Sequence, residues 1–189
     1  MSDGKRFPLE EARAVAEGIK GLMATACARI EIAGSIRRQK PDVGDIELLY
    51  IPLLAPEDTG NLFQETRMMN LADERLDHLL HTGVIEERLN AKGSTMWGQD
   101  NKLAVHLESG INVDFFSADE ENWFNRLVCR TGGKNNNQRI AMAAQKMEMT
   151  WKPYGSGFLS HDEGMIVCKS EEDVFKAVCL PYLPPEKRT

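Results

Sequence analysis

The chain lacks the sequence features of exported, membrane-spanning and disulfide-stabilised proteins. Its 189 residues include only four cysteines, and no two of them form a Cys-x-x-Cys pair. This spacing favours free thiols over a zinc site or a disulfide framework. No apolar run is long enough to cross a bilayer, and the charged, glutamate-rich start does not resemble a signal peptide. We therefore expect a soluble, cytoplasmic protein with no membrane partner.

Positive charge is also scarce overall but is concentrated in one segment. The net charge of -6 argues against a protein that coats nucleic acid non-specifically. Residues 126–152, however, contain a single acid, Glu148, and a set of basic residues: Arg126, Arg130, Lys134, Arg139, Lys146 and Lys152. The charge of this segment fits a face that contacts phosphates and a solvated helix equally well.

The first motif is Gly34-Ser35-Ile36-Arg37-Arg38. Residues 29–33 alternate as a strand does, and the glycine-serine pair is expected to break that strand in a turn with exposed backbone N–H groups. Such a turn can cradle phosphate oxygens, with the Ser35 hydroxyl as a further donor and Arg38 as a planar charge. Arg37 fits a salt bridge and a phosphate contact equally well.

The second motif, Gly44-Asp45-Ile46-Glu47, begins an apolar segment that predicts a strand. Ile46, Leu48 and Tyr50 fall on one face, so Asp45 and Glu47 share the other. Two carboxylates on one face are suited to a pair of Mg²⁺ ions, with Mn²⁺ as a substitute. A site of this kind requires a third carboxylate from another strand.

Asp114 is the candidate for that third carboxylate. It lies in the apolar segment 111–116, which the Ser109-Gly110 turn joins to residues 102–108 in a predicted hairpin. An isolated acid in such a strand is usually a solvent-face residue. After the two earlier motifs, the ligand interpretation is favoured, and the chain is predicted to be a nucleotidyltransferase.

The remaining patterns predict an α+β fold in two parts. Apolar spacing predicts helices over residues 9–23, 62–80 with a break near Asn70, 120–128, 134–149 and 171–178. Strands are predicted over residues 29–33, 45–50, 84–89, 102–108, 111–116, 151–154 and 165–168, with a loop over 52–60. A shift in composition near residues 117–121 divides the chain into 1–118 and 119–189.

With these motifs, the chain resembles the family X DNA polymerases. The phosphate turn, the acid pair and Asp114 follow that family's pattern, and Arg130-Thr131-Gly132-Gly133 with Asn137 resembles its nucleotide-positioning segment. Tyr154-Gly155, the segment 180–188 and the entry Lys5-Arg6-Phe7-Pro8 also resemble it. The resemblance implies a nucleotidyltransferase palm with a mixed, largely antiparallel sheet flanked by helices. A small α/β subdomain of the thumb or fingers kind would follow it.

The resemblance also implies a set of residue roles. Asp45, Glu47 and Asp114 would be the catalytic, metal-binding residues, beside a primer 3′-hydroxyl that attacks the α-phosphorus of a dNTP. The triphosphate, sugar and base would contact Gly34, Ser35, Arg38, Gly44, Arg6, Thr131, Gly132 and Asn137. Arg130, Lys134 and Arg139 would contact gapped or primer–template DNA. A monomeric enzyme that fills short gaps in DNA repair is expected.

Four departures from the family pattern carry their own expectations. Glu47 stands where an aspartate is usual, and Asn112 stands where an arginine is common. Cys129 and Arg130 occupy the pair of positions where the family usually has two aromatic residues, or a glycine and an aromatic residue, against the sugar. Discrimination against ribonucleotides is therefore expected to be weak. No helix-hairpin-helix or lyase segment precedes Lys5, so lyase activity is expected to be absent and DNA binding weak and distributive.

Three hypotheses about function follow. A templated polymerase predicts primer extension directed by the template. A template-independent nucleotidyltransferase, acting on RNA, a protein or a small molecule, would share the first two motifs. A catalytically weakened module that binds nucleic-acid ends would bind without turnover.

Overall fold

The computed structural model describes residues 5–56 and 67–189. Its helices are α1 (Leu9–Met23), α2 (Gly34–Arg37), α3 (Leu71–His81), α4 (Trp123–Thr131), α5 (Lys134–Lys146) and α6 (Glu171–Lys176). Its first strands are β1 (Phe7–Pro8), β2 (Cys27–Ile32), β3 (Asp42–Val43), β4 (Asp45–Pro52), β5 (Leu54–Pro56) and β6 (Met68–Asn70). They are followed by β7 (Ile85–Glu87), β8 (Asn101–His106), β9 (Asn112–Ser117), β10 (Met149–Trp151), β11 (Gly157–Ser160) and β12 (Gly164–Val167). The predicted α+β class is confirmed.

The N-terminal part is built on a five-stranded sheet in the order β2-β4-β9-β8-β7. Strands β4 and β9 run parallel, and the other neighbours are antiparallel, as the predicted mixed sheet requires. Helices α1 and α3 contribute buried residues to the same core as Ile46, Leu48 and Tyr50, which are fully buried. Because side chains alternate along a strand, the acids of β4 lie on the opposite face.

On the opposite face of the sheet, helix α4 packs over the residues of β4 and β9 that follow the acids. Leu49 of β4 and Phe116 of β9 are buried with Trp123 and Leu127 of α4 in a separate apolar cluster. Helix α4 therefore covers the later residues of β4 and β9 but leaves Asp45 and Glu47 at the edge of a cavity.

The C-terminal part has its own core. The antiparallel sheet β10-β11-β12 packs with α4, α5 and α6 around buried residues that include Val128, Ile140, Phe158 and Phe175. A core of this kind fits the predicted division near residue 118. The position of that boundary stays a prediction.

Two predicted segments differ from the structure around residue 70. The sequence predicts a helix over 62–80 with a break near Asn70, and in the described residues a helix begins at Leu71. The Asn70 side chain accepts hydrogen bonds from the N–H groups of Ala72 and Asp73 and caps this helix. Strand β6 precedes it and pairs with β5, which lies in the predicted loop over 52–60. Residues 57–66 lie outside the described part of the chain.

Other boundaries move by a few residues. The predicted turn at Gly34-Ser35 is the first half of the short helix α2. Helix α5 ends at Lys146 because Glu148 adopts a φ of 57° and Met149 begins β10. Strand β11 was not predicted, and the predicted helix over 120–128 lies at Trp123–Thr131. The hairpin of β8 and β9 is confirmed, with Gly110 at a φ of 70° in its turn.

Among the described residues, no helix combines the length and the apolar character needed to cross a membrane.

Candidate active site

The pairing of β4 with β9 brings three acids onto one face of the sheet. In this parallel pair, Glu47 lies opposite Asp114 and Asp45 lies opposite Asn112. Directly paired residues on neighbouring strands project to the same side, with the strands about 4.8 Å apart. The third acid therefore lies beside the first two, although sixty-odd residues of chain separate them.

The turn at Gly34-Ser35, predicted to bind phosphate, lies directly over Glu47. The Ala33 N–H donates to the Glu47 carbonyl at 2.8 Å, which fixes the end of β2 against β4. Gly34 follows with a φ of 60°, and a Cβ atom there would lie 2.6 Å from Glu47 Oε2. Only glycine satisfies both the backbone conformation and this close approach.

Two buried polar groups of this turn lack a hydrogen-bond partner among the described residues. Ser35 Oγ and Arg38 Nε are buried atoms that form no hydrogen bond within residues 5–56 and 67–189. Unsatisfied buried donors are costly, and they are typical of sites that a ligand completes. Both residues line the same cavity as Asp45 and Glu47.

Burial, and to a lesser extent their neighbours' charge, disfavours ionisation of Glu47 and Asp114. Burial, reinforced by the charge of Asp45, raises the pKa of Glu47 to about 8, although Arg130 and Arg38 oppose the shift. Burial also raises the pKa of Asp114, with Arg88 acting in the opposite direction. Closely spaced, buried carboxylates that disfavour each other's ionisation are typical of functional sites, including sites that bind cations.

The donor set is chemically suited to Mg²⁺, but the side chains do not converge in this arrangement. Carboxylate oxygens are the ligands that Mg²⁺ and Mn²⁺ prefer. Within the described part of the chain, however, no three His, Cys, Asp or Glu side chains are close enough together to hold a metal ion. Asp114 is ion-paired with Arg88, and Glu47 Oε2 lies beneath Gly34.

One cavity of about 350 Å³ collects most of the predicted site residues. Its walls include Gly34, Ser35, Arg38, Asp45, Glu47, Arg130, Gly132, Lys134 and Asn137, together with Cys129, Gly133 and Tyr154. The N-terminal acids and the C-terminal segment around residues 129–137 thus face each other across it.

Five predicted residues do not line this cavity. Asp114 lies next to Glu47 in the sheet, and Arg6, paired with Asp42 at 2.5 Å, lies next to Gly44. Thr131 is fully buried, and its hydroxyl accepts from Arg37 while its carbonyl accepts from Arg38 at 2.6 Å. Arg139 lines a separate groove.

Gly44 is likewise absent from the cavity walls, and Asn137 has internal partners. The Asn137 amide donates to the Cys129 carbonyl at 2.8 Å and to the Gly132 carbonyl at 3.4 Å. Its first role is thus to join the end of α4 to the start of α5.

Arg130 is held between two aromatic rings. Its guanidinium lies 3.4 Å from the centre of the Phe116 ring and 5.0 Å from that of Tyr154. Such stacking fixes a cation at the cavity wall, where its charge opposes the rise in the pKa of both Glu47 and Asp114. Burial raises the pKa of the neighbouring Cys129 thiol to about 11, so this thiol is not a nucleophile at neutral pH.

Comparison with protein families relates the C-terminal part of the chain to a known domain. The family model of the DNA polymerase beta thumb matches residues 126–189. No curated protein matches the chain. The similarity to a polymerase thumb covers Arg130, Lys134 and Asn137 but not the three acids.

Several residues that organise the site were not predicted. Asn125 is fully buried, and its amide donates to the carbonyls of Lys152 and Gly155 at 2.7 Å each. Arg126 donates to the Tyr154 carbonyl at 3.0 Å. Arg88 binds Asp114, and Glu171 binds Arg37. Each contact joins distant segments, so no local pattern reveals it.

Proposed function

We propose that this protein is a template-directed DNA polymerase of the family X type, which adds dNMP from a dNTP to a primer 3′-hydroxyl in short gaps. The observation that carries the proposal is the single cavity where Ser35 and Arg38, the acids of β4 and the residues of the polymerase-thumb match meet. A nucleotide needs all three groups at once, because its phosphates, its metal ions and its sugar and base are bound by different chemistry.

Two Mg²⁺ ions, or Mn²⁺, would be held by Asp45, Glu47 and Asp114. Bound there, they would neutralise phosphate charge and make the attacking hydroxyl more acidic. Positioning and charge stabilisation provide most of the catalysis in phosphoryl transfer.

The protein's own groups then have separable tasks. The α2 turn offers Ser35 Oγ and Arg38 Nε to the triphosphate, since both lack a protein partner in the described structure. Asp114, on the neighbouring strand, lies beside the primer terminus. Gly132 and Asn137 face the sugar and base, while Arg130 and the exposed Lys134 and Arg139 contact DNA phosphates.

The test is extension of a 5′-labelled primer opposite a one-nucleotide gap, with Mg²⁺ or Mn²⁺ and each dNTP separately. We expect extension by the complementary nucleotide only, and its loss in Asp114→Asn. Asp162→Asn is the matched control, because Asp162 is an exposed acid outside the five-stranded sheet, and among the described residues its ion pair is with the exposed His161. Incorporation regardless of template would indicate a template-independent nucleotidyltransferase instead.

The second candidate is an end-binding module without turnover. It is favoured by the ion pair of Asp114 with Arg88 and by Glu47, whose longer side chain lies against the phosphate turn. DNA binding without primer extension in Mg²⁺ or Mn²⁺ would support this second candidate. Primer extension by the Glu47→Asp variant would instead support the polymerase.

A further inference from the structure

We propose that Arg88 is a positioning residue of the active site, which holds the Asp114 carboxylate from across the sheet. The inference rests on the proposed function for its catalytic consequence. Its main observation, an ion pair between a strand-end arginine and a candidate metal ligand, is independent of which nucleic acid is the substrate.

The sheet register places the two residues in one row. Leu103 of β8 lies opposite Asp114 of β9, and Asp114 lies opposite Glu47 of β4. Arg88 directly follows β7, and its N–H donates to the Leu103 carbonyl at 3.0 Å. Arg88 therefore lies two strands from Asp114, a distance of about 10 Å between backbones. A long side chain is needed to span the Leu103 position and reach the acid.

The contact is directional. Arg88 Nη2 donates to Asp114 Oδ1, while Oδ2 accepts no hydrogen bond from any residue in the described ranges. One carboxylate oxygen is thus fixed from the side opposite Glu47, and the other stays available to a ligand. This is how supporting hydrogen bonds orient the ligands of metal sites.

Burial distinguishes this pair from an ordinary surface salt bridge. The side chains of Arg88 and Asp114 are only 24% and 14% exposed. Arg88 Nε is also buried, without a partner among the described residues. An isolated, exposed ion pair contributes little to the stability of the fold. A partly buried guanidinium beside Asp114 and Glu47 is instead held in place by the negative charge of these acids.

Position 112 is suitable for a variant that supplies the arginine from a different residue. It lies two residues before Asp114 on the same strand, and its side chain is exposed. Residues at i and i+2 share a strand face, so an arginine at position 112 would reach the same carboxylate. The double variant Arg88→Ala/Asn112→Arg therefore supplies the cation from a new position.

The experiment measures binding of Mn²⁺ alone to the full chain by electron paramagnetic resonance, and primer extension in a single turnover. Because a neighbouring positive charge opposes cation binding, we expect Arg88→Ala to bind Mn²⁺ several-fold more tightly. Its extension rate should nevertheless fall by about 10- to 100-fold, because Asp114 is no longer oriented. The KM for dNTP should change less than threefold. The double variant should reverse both effects, and Arg75→Ala is the matched arginine control.

Unchanged Mn²⁺ affinity in Arg88→Ala would overturn the proposal. A rate loss that the double variant does not rescue would also overturn it and leave Arg88 a structural residue. If the wild-type protein binds Mn²⁺ through Asp114 but extends no primer, the proposed function fails, while the Mn²⁺ arm still decides the role of Arg88.

Discussion

Arg37 and Glu171, which lie 134 residues apart, form a two-pronged ion pair with Nη2–Oε1 and Nη1–Oε2 distances of 2.5 and 3.1 Å. The same carboxylate pairs with Arg188, whose side chain is fully buried, so Glu171 joins the phosphate-turn helix to the end of the chain. Arg37, for which sequence reasoning left two roles open, thus has a structural partner.

We predict that Glu171→Gln destabilises the fold by about 3–5 kcal/mol, because it leaves a buried arginine without its counter-charge. The measurement is urea unfolding at pH 7. Glu172→Gln is the matched control, because Glu172 is the exposed neighbour in the same helix. A loss below 1 kcal/mol would show that solvent replaces the carboxylate.

Acid should remove the same stabilisation. Burial disfavours the charged form of Glu171, but Arg37 and Arg188 outweigh burial and lower its pKa below the ordinary 4.5. A lowered folded-state pKa stabilises the protein above pH 4.5, and this contribution is lost as the pH falls through the folded value. The difference in unfolding free energy between wild type and Glu171→Gln should therefore shrink from pH 6 to pH 3. A constant difference would contradict the assignment.

Glycine at position 34 should be irreplaceable. Alanine there would adopt a positive φ at a cost of about 1–2 kcal/mol, and its Cβ would lie 2.6 Å from Glu47 Oε2. We expect Gly34→Ala to retain the fold, since the Glu47 side chain can move, but to lose primer extension by at least about 100-fold. Gly18→Ala is the control, because Gly18 lies in α1 with nothing within 4 Å of the added methyl group. That variant should gain up to about 1 kcal/mol.

The structure brings the predicted residues of the two local motifs to one cavity, whereas several surrounding elements differ from their predicted bounds. The functional roles of those residues stay predictions. Local chemistry identifies Gly34, Ser35, Asp45 and Glu47, because a glycine-dependent turn and two acids on one strand face leave a readable pattern. It also identifies the β8–β9 hairpin through its Ser-Gly turn. These predictions depend on neighbours in sequence.

The predictions that failed depended on competition between local patterns. Residues 68–70 were assigned to a helix by apolar spacing, but pairing with β5 and the Asn70 cap made them a strand. Similarly, the positive φ of Glu148 ended α5 before the predicted residue 149. Arg88 and Glu171 could not be assigned, because their partners are fixed only by the tertiary fold.

The raised pKa of Glu47 predicts that the metal-free protein becomes less stable to unfolding as the pH rises. Its value of about 8 exceeds the ordinary 4.5, so the folded protein holds a proton that the unfolded chain releases. Such a group stabilises the fold at low pH and loses this effect as the pH rises to about 8, by up to about 1.4 kcal/mol per pH unit. With EDTA present, Glu47→Gln should therefore become progressively more stable than wild type between pH 5 and pH 8 in urea unfolding. Parallel stability curves would show that Glu47 titrates normally.

Alanine variants of Lys134 and Arg139 should distinguish effects on nucleotide binding from effects on DNA binding. Both are exposed and, among the described residues, neither forms a salt bridge, but Lys134 lines the cavity whereas Arg139 lines a groove with Met142. If each contacts one DNA phosphate, either alanine variant should weaken gapped-DNA binding and reduce the slope of log K against log salt by about one. Of these two variants, Lys134→Ala alone should also raise the KM for dNTP, because Lys134, unlike Arg139, lines the cavity that contains Ser35 and Arg38. Lys169→Ala, an exposed lysine outside both surfaces, should change neither quantity. An unchanged salt slope in Arg139→Ala would exclude its groove from the DNA-binding surface and confine that surface to the cavity side of α5.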